Sequence, residues 1–231
     1  MNWATELSSC TGKKLYLYIA LAKKMVDLNR LYLYRMTHIE NVPHILEYGV
    51  THATSAHANK SYKGIGDNSI IGTRNEFVLP SGRKLGSYIP FYFGPRMPML
   101  FVIQKGYNGV LKTPAKEIVY CVCSVQKVID LQLPFLFTDG HAVDGFTTYY
   151  EQKKLPDIDE LLDFKAINSQ YWRNADDLDL KRRKEAEFLV ETDIPTTAIV
   201  GWVVYNEEAK QRLLALGIPE KRIHINSNYY F

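Results

Sequence analysis

Apolar and polar residues alternate over several short stretches of this chain, and each such stretch predicts a β-strand. Alternation is what a strand with one buried face requires, because successive side chains point to opposite sides of the sheet. This pattern, together with runs of strong β-formers, predicts strands at 31–35, 89–93, 117–125, 188–190, 198–205 and 222–225. The strand at 188–190 begins near Glu185 or Glu187. Residues 99–103 are apolar throughout and are predicted to form a strand or a buried segment.

Other stretches carry the longer repeat of apolar positions that is typical of amphipathic helices. A helix is predicted at 39–48, with Thr37 as its N-cap and Gly49 as its stop. Pro43 falls inside that span and favours a start nearer Asn41, since proline is tolerated only in the first turn of a helix. Further helices are predicted at 157–164, 176–184 and 206–216.

Strands and helices are mixed along the chain without a strict βαβ repeat, which favours an α+β fold around a central, largely antiparallel sheet. Residues 50–87 are polar, contain glycine and show little periodicity, and loops of this length are usually functional or disordered. We predict one domain over 31–231, preceded by an amphipathic helical extension at 1–30.

The composition is that of a soluble globular protein, with 46% hydrophobic and 23% charged residues. The net charge of +3 permits a nucleic-acid partner but does not require one. Basic residues occur in short clusters, of which the one at 181–184 runs directly into an acidic pair. The 16 tyrosines either fill strand positions or offer flat surfaces to bases and sugars.

The cysteine count and the first apolar run both favour a cytoplasmic protein. Three cysteines argue against a disulfide framework, and Cys121 and Cys123 are predicted to fill the core. The apolar run at 15–22 resembles the core of a signal peptide, but two lysines follow it and no cleavage pattern appears. It is also too short to span a bilayer, so no membrane association is expected. No metal-binding constellation stands out among the six histidines.

The candidate chemistry therefore comes from carboxylates, arginine, histidine and aromatic residues. Glu185 and Glu187 would share one face if both lay on a strand, and a paired acid can grip a sugar hydroxyl or act as a general base. Taken singly, each candidate also has a structural explanation. His38 could bond to the backbone at a helix start, Arg74 could be a surface loop residue, and His141 could be a turn residue.

Several segments in order resemble one family. The segment at 35–50 is similar to the opening strand–His–helix–Gly element of ADP-ribosyltransferases. The aromatic block YIPFYFGPRMPML at 88–100 is more specific, and with IGTR at 71–74, FTDGHA at 137–142 and AEFLV at 186–190 it resembles the DarT family. Members of that family are DNA ADP-ribosyltransferase toxins that are partnered with macrodomain antitoxins. The resemblance runs from about residue 33 to residue 231 and implies an ADP-ribosyltransferase-like fold with a split sheet.

The resemblance assigns roles to five residues near the cofactor. Glu187 matches the catalytic glutamate, and Arg74 matches the arginine that reaches the NAD+ co-substrate and supports catalysis. His38 matches the histidine that holds the NAD+ ribose, with Thr37 beside it, and Tyr92 lies in the matching segment near the nicotinamide pocket. A carboxylate stabilises the oxocarbenium character that builds up on the ribose, and Glu187 could also take a proton from the acceptor nitrogen. An arginine can pair with cofactor phosphates as a planar fork.

Three further residues are predicted on the DNA side. The resemblance places His141 there, and Arg83 and Arg96, like the basic run at 181–184, can track a phosphate backbone. Glu185 is not required to be acidic by the family pattern, so it is either a helper near the acceptor or a neighbour that pairs with a lysine or faces solvent.

The sequence thus predicts a cytoplasmic, monomeric toxin that transfers ADP-ribose from NAD+ to a base of single-stranded DNA. Thymidine is favoured because the Arg74 segment resembles the thymidine-modifying branch, and guanine is the second candidate. Two further interpretations stay open at this point: transfer to protein arginine or to RNA ends, and an inactive nucleic-acid-binding module. A macrodomain antitoxin is expected as a separate chain.

Overall fold

The computed structural model describes residues 26–231, and in this part of the chain eight strands form one sheet. The strands are β1 Tyr32–His38, β2 Ile89–Tyr92, β3 Ile118–Ser124, β4 Phe135–Thr138, β5 Tyr149–Glu151, β6 Glu187–Val190, β7 Gly201–Val204 and β8 Ile223–Ile225. Their order across the sheet is β5-β4-β6-β2-β1-β3-β7-β8. Neighbouring strands are antiparallel except β7 and β8, which are parallel.

The sheet consists of two halves that meet between β1 and β2. β1 pairs with β3 along its whole length, whereas it pairs with β2 only where Tyr34 faces Tyr92. The Arg35 guanidinium reinforces this seam by donating from Nη1 to the Pro90 carbonyl at 2.9 Å. The predicted α+β fold with a mostly antiparallel, split sheet is therefore confirmed.

Eight α-helices flank the sheet in the described part of the chain. They are α1 Val42–Tyr48, α2 Asn68–Glu76, α3 Pro98–Lys105, α4 Val125–Asp130, α5 Ile158–Leu161, α6 Phe164–Ile167, α7 Leu180–Lys184 and α8 Glu207–Ala215. Buried apolar side chains cover both faces of β3: Cys121 and Cys123 belong to the larger core cluster, and Tyr120 and Val122 belong to a second cluster. The prediction that the two cysteines fill the core is confirmed.

The start and stop of α1 follow from local chemistry. Gly49 ends the helix with φ of +82°, and its N–H donates to the Ile45 carbonyl at 2.9 Å. The predicted cap at Thr37 is wrong, because Thr37 lies within β1. The next residue, His38, caps a short 3-10 turn instead, accepting the Glu40 N–H through its ring.

Two predicted elements have a different structure. The polar stretch at 50–87 contains α2, which begins where the Asp67 carboxylate accepts the Ser69 N–H. The apolar segment at 99–103 is helix α3 and not a strand, since Pro98 begins the helix and Gly106 ends it in a left-handed conformation. Its buried residues Leu100 and Ile103 are spaced for a helix face.

Other predicted elements are shorter than expected. The helix at 157–164 is interrupted, because Asp163 accepts the Ala166 N–H and so starts α6 anew. The helix predicted at 176–184 is only the five residues of α7. The sequence did not predict α4, β4 or β5. Of the extension at 1–30, residues 26–30 contain a turn around Asp27, and the remainder lies outside the described residues. No helix among the described residues has the length and apolarity needed to cross a membrane.

Candidate active site

Glu187 is the first residue of β6, and its side chain is completely buried. Oε1 accepts the Ala142 N–H at 2.9 Å, and Oε2 accepts from Arg74 Nη1 at 2.8 Å. The Glu187 N–H donates to the Thr138 hydroxyl at 3.0 Å, so the backbone that carries the carboxylate is held as well. A buried carboxylate needs such compensation, because an unpaired charge in a protein interior costs several kcal/mol.

Arg74 reaches Glu187 from α2, which lies over this end of the sheet. The helix has no buried residue, and only Ile70 and Arg74, one turn apart, are partly covered. The prediction of a loop arginine is therefore wrong: Arg74 is helical, with its side chain only 12% exposed. Its guanidinium contacts the carboxylate, and its Nη2 is buried without a hydrogen-bond partner among the described residues. That free donor is suited to an oxygen of the cofactor.

Tyr92 lies directly opposite Glu187 on the neighbouring strand, so the two side chains share one face of the sheet. Burial, followed by the negative charge of Glu187, raises the pKa of the Tyr92 hydroxyl well above its usual value. Tyr149 donates a hydrogen bond to the Ala142 carbonyl, and burial and Glu187 raise its pKa to about 12. Both hydroxyls are therefore neutral donors beside the carboxylate at physiological pH.

Thr37 and His38 lie at the far end of β1 and make local contacts. His38 Nδ1 accepts the Glu40 N–H at 3.1 Å, and Nε2 lies 3.2 Å from Glu117 Oε2. The Thr37 hydroxyl accepts from Asn41 at 3.0 Å. His38 is four residues beyond the Tyr34 seam, roughly 13 Å along the strand at about 3.3 Å per residue. These contacts match the structural explanation of His38, and the cofactor role of both residues stays a prediction.

A cavity of ≈ 870 Å³ lies beside His141 and Glu185, which are close in the chain to Ala142 and Glu187. It is bordered by Ile70 on α2, by His141, which precedes Ala142, and by Glu185. Aromatic side chains from distant parts of the chain form its wall: Phe101, Tyr107, Tyr171, Trp172 and Phe231. Flat apolar rings with polar edges are suited to stacking with nucleobases. This wall is not predicted from the sequence, in which the Tyr171-Trp172-Arg173 cluster is the one signal that indicates it.

The loop that carries His141 is fixed by Arg182 on α7. The His141 N–H donates to the Arg182 carbonyl at 3.0 Å, and Arg182 Nη1 lies 2.9 Å from Asp139 Oδ1. Thr147 closes the loop by donating from its hydroxyl to the His141 carbonyl at 2.8 Å. This arrangement keeps the Ala142 N–H directed at Glu187 and places His141 at the cavity edge.

The two arginines predicted to contact DNA have different positions. Arg96 lines the cavity, but its Nη1 donates to the Asn228 and Tyr230 carbonyls, and its guanidinium lies 4.1 Å above the Phe231 ring. Arg83 is not among the residues that line the cavity. Its side chain is 57% exposed and pairs with Glu191 at 2.9 Å. The structure thus brings Arg96, and not Arg83, to the candidate site.

Glu185 and Glu187 do not share a strand face, contrary to the interpretation of the acid pair. Glu185 is the C-cap residue that follows α7, with φ of −89° and ψ of 25°, and the strand begins at Glu187. Glu185 is nevertheless buried, with 5% of its surface exposed, and burial is the main cause that raises the pKa of its carboxyl. The two acids lie in different surroundings: Glu187 is enclosed by donors, and Glu185 borders the cavity.

Comparison with known proteins gives this geometry a family. The family model described as "ssDNA thymidine ADP-ribosyltransferase, DarT" matches residues 34–231. A DNA ADP-ribosyl transferase of Escherichia coli O127:H6 is 32% identical over 86% of this chain and 93% of its own length. A DNA ADP-ribosyl transferase–DNA ADP-ribosyl glycohydrolase fusion protein of Thermosipho africanus is 33% identical, over 78% of this chain and 44% of the fusion.

Solved structures are similar over the same region. DarT of Thermus sp. 2.9 in complex with ADP-ribosylated ssDNA has a TM-score of 0.75 at 30% identity, covering 87% of this chain and 96% of that chain. The same protein in complex with NAD+ has a TM-score of 0.71 at 29% identity, covering 87% of this chain and 98% of that chain. The family match spans the part of the chain that contains these motifs. The chain belongs to the DarT family of ADP-ribosyltransferases.

Proposed function

We propose that this protein transfers ADP-ribose from NAD+ to thymidine in single-stranded DNA and releases nicotinamide. The observation that carries the proposal is the Glu187 carboxylate, which is fully buried and held by Arg74 and the Ala142 N–H, while the nearby residues His141 and Glu185 border an aromatic cavity. An acid of fixed orientation next to a surface for bases is what glycosyl transfer to a nucleobase needs. Membership of the DarT family and the named complexes of its relatives support the same reaction.

Glu187 acts on the ribose. Cleavage of the bond between nicotinamide and ribose builds positive charge on the sugar, and a nearby carboxylate stabilises that charge electrostatically. Its oxygens are acceptors, so it also suits a ribose hydroxyl as a hydrogen-bond partner. Since Arg74 and Ala142 hold the carboxylate before any substrate binds, little of its orientation has to be arranged during the reaction.

Arg74 and Tyr92 complete the cofactor side of the site. Within the described part of the chain Arg74 keeps one buried donor free, Nη2, and we assign it to an oxygen of NAD+. Tyr92 shares the sheet face of Glu187 and offers a neutral hydroxyl and a flat ring near the nicotinamide. Thr37 and His38 lie further along β1, and we propose that His38 holds the NAD+ ribose with Thr37 beside it.

The cavity receives the acceptor base. An unpaired base can enter it without being extruded from a duplex, which favours single-stranded DNA as the substrate. Phe101, Trp172 and Phe231 supply stacking surface, and His141, which precedes Ala142, borders the same cavity. Arg173 and Lys181 border the same cavity and are suited to the adjoining phosphates.

The reaction is tested by incubating the protein with NAD+ and short single-stranded oligonucleotides that differ in one base. Mass spectrometry is expected to find ADP-ribose added only where thymidine is present, with release of nicotinamide. A Glu187→Gln variant, which keeps the shape but removes the charge, should lose about 100-fold or more of this activity. Addition to guanine alone, to RNA ends or to protein arginine would replace the substrate that we propose, and no transfer by folded protein would refute the function.

Transfer of ADP-ribose to DNA would have two consequences in the cell. Adducts on template bases would block replication, so the protein should be toxic, and an enzyme that removes ADP-ribose from DNA should neutralise it. The Thermosipho africanus relative joins a transferase and a DNA ADP-ribosyl glycohydrolase in one chain. We propose that a separate macrodomain antitoxin supplies that activity here, and that this protein acts as a monomer in the cytoplasm.

A further inference from the structure

We propose that Glu185 is the residue that takes the proton from the imino nitrogen of the acceptor base. This inference rests on the proposed function and assigns the general base of the same site. Four observations carry it: the position of Glu185 on the cavity, its lack of a hydrogen-bond partner within residues 26–231, the occupied oxygens of Glu187 and the charges around the cavity.

Glu185 borders the space where an acceptor base would lie. It follows the last residue of α7 and lines the ≈ 870 Å³ cavity together with His141 and Lys181. Glu185 also borders a second groove, which shares His141 and Lys181 with the first cavity. Its side chain is only 7% exposed, so bulk solvent can satisfy little of the carboxylate.

The carboxylate of Glu185 has no hydrogen bond to any described residue. Its nearest cationic partner is Lys181 Nζ at 3.8 Å, one turn earlier on the same helix, and the Lys181 side chain is 60% exposed. Buried carboxylates are usually satisfied by donors, because leaving one without a partner costs free energy. A buried acid without a donor beside a cavity is suited to accept a donor from a ligand.

Glu187 is a poor candidate for the same task. One of its oxygens accepts the Ala142 N–H, and the other accepts the Arg74 guanidinium. Each contact uses one lone pair of a carboxylate oxygen, and the remaining lone pairs suit the ribose hydroxyl that the proposed function already assigns to Glu187. The structure therefore divides the two acids: Glu187 provides negative charge to the ribose, and Glu185 provides a proton acceptor to the base.

The surroundings of Glu185 prepare it for proton transfer. Burial raises the pKa of its carboxyl and the negative charge of Glu187 adds to this, whereas His141, Lys181 and Lys184 act in the opposite direction. Asp67 on the α2 side and Arg96 and Arg173 on the aromatic side also border the cavity. A raised pKa improves a carboxylate as a base, provided that it stays ionised at the working pH.

The proposed step balances without any further reactant. The imino N–H of thymine donates to a Glu185 oxygen, and its proton passes to the carboxylate as the nitrogen lone pair bonds to the ribose carbon of NAD+. The bond between that carbon and nicotinamide breaks, and nicotinamide leaves with the bonding electron pair as a neutral molecule. The protonated Glu185 then releases its proton to water.

The test is the pH profile of DNA modification by the wild-type protein and by Glu185→Gln. At neutral pH the variant should modify thymidine on the order of 100-fold more slowly, as expected for loss of a general base. The rate should recover towards that of the wild type at alkaline pH, where the imino nitrogen ionises unaided. NAD+ affinity, measured by calorimetry, should stay within about threefold. Glu151→Gln, which changes an exposed glutamate paired with Lys153, is the matched control and should behave as the wild type.

A second variant tests the same idea without touching Glu185. Removing the Lys181 charge in Lys181→Gln takes away a cation that lowers the Glu185 pKa, so the acidic limb of the profile should move to higher pH. An unchanged profile in Glu185→Gln, with DNA still modified, would overturn this inference and leave the proposed function intact. The absence of any DNA adduct with the wild-type protein would overturn both.

Discussion

Glu187 and Arg74 illustrate how a single ion pair can organise a site. The carboxylate has two oxygens and two donors, one from the backbone and one from a helix that has hardly any other burial. Breaking a buried pair by removing one partner is strongly destabilising, because it leaves an uncompensated charge. The pair therefore positions the reactive group and also holds α2 against the sheet.

The planar guanidinium of Arg74 should not be replaceable by a lysine ammonium. In Arg74→Lys, a single ammonium can still reach Glu187, but the planar fork is lost, and with it the second nitrogen that Arg74 holds in a fixed position for NAD+. We expect nicotinamide release to fall on the order of 100-fold, with a raised KM for NAD+. Arg83→Lys is the matched control, since Arg83 makes an exposed pair with Glu191. Less than about threefold loss in Arg74→Lys would show that only the charge of Arg74 matters.

Among the elements, α2 shows why part of this site could not be predicted from the sequence. Helices are recognised by a periodic apolar face, and α2 has no buried residue to create one. Only the Asp67 cap marks its start, and aspartate is equally common in loops. The segment IGTR identifies Arg74 through a family motif, but nothing in its local pattern indicates that the arginine projects from a helix.

Secondary structure is predicted more often where a segment has a periodic apolar pattern, or where a glycine or proline marks the end of an element. The strand β3 and the Gly49 stop are predicted because one has strong β-formers and the other needs a glycine-only backbone conformation. The apolar run at 99–103 is ambiguous, since short runs suit a strand or a buried helix equally. Glu185 and the cavity wall depend on contacts between residues far apart in the chain, which a local pattern cannot encode.

Two glycines give a test of how α1 and α2 are stabilised. Gly72 lies in α2 with nothing within 4 Å of an added Cβ, so Gly72→Ala should stabilise the helix by about 0.5–1 kcal/mol. Amide hydrogen exchange across 68–76 should slow accordingly. Faster exchange of α2 in Gly72→Ala would contradict the assignment of α2 as a regular helix.

Gly49→Ala should destabilise the protein by about 2 kcal/mol or more in urea denaturation, because its φ is +82° and the Cβ would lie 1.9 Å from the Ile194 oxygen.

At the scale of the whole molecule, the positions of the cationic side chains determine where the DNA phosphates can bind. The net charge is only +3, so affinity for a polyanion depends on where the cations lie. Arg96, Arg173 and Lys181 border the cavity, but Asp67 and Glu185 border it too. Arg96 already donates to backbone carbonyls near the C-terminus, which leaves Arg173 and Lys181 as the cavity cations available to phosphates in the described part of the chain.

This distribution predicts a weak dependence of DNA binding on salt. Each phosphate of single-stranded DNA neutralised by a cation contributes about −0.7 to the slope of log K against log salt, so two contacts give about −1.4. Binding of a fluorescent thymidine oligonucleotide across a salt series measures that slope. Arg173→Gln should make it shallower by about 0.7, and Arg83→Gln, paired with Glu191 away from the cavity, should leave it unchanged. A wild-type slope steeper than about −4, or an equal effect of Arg83→Gln, would mean that DNA follows a longer path over the surface than the aromatic cavity provides.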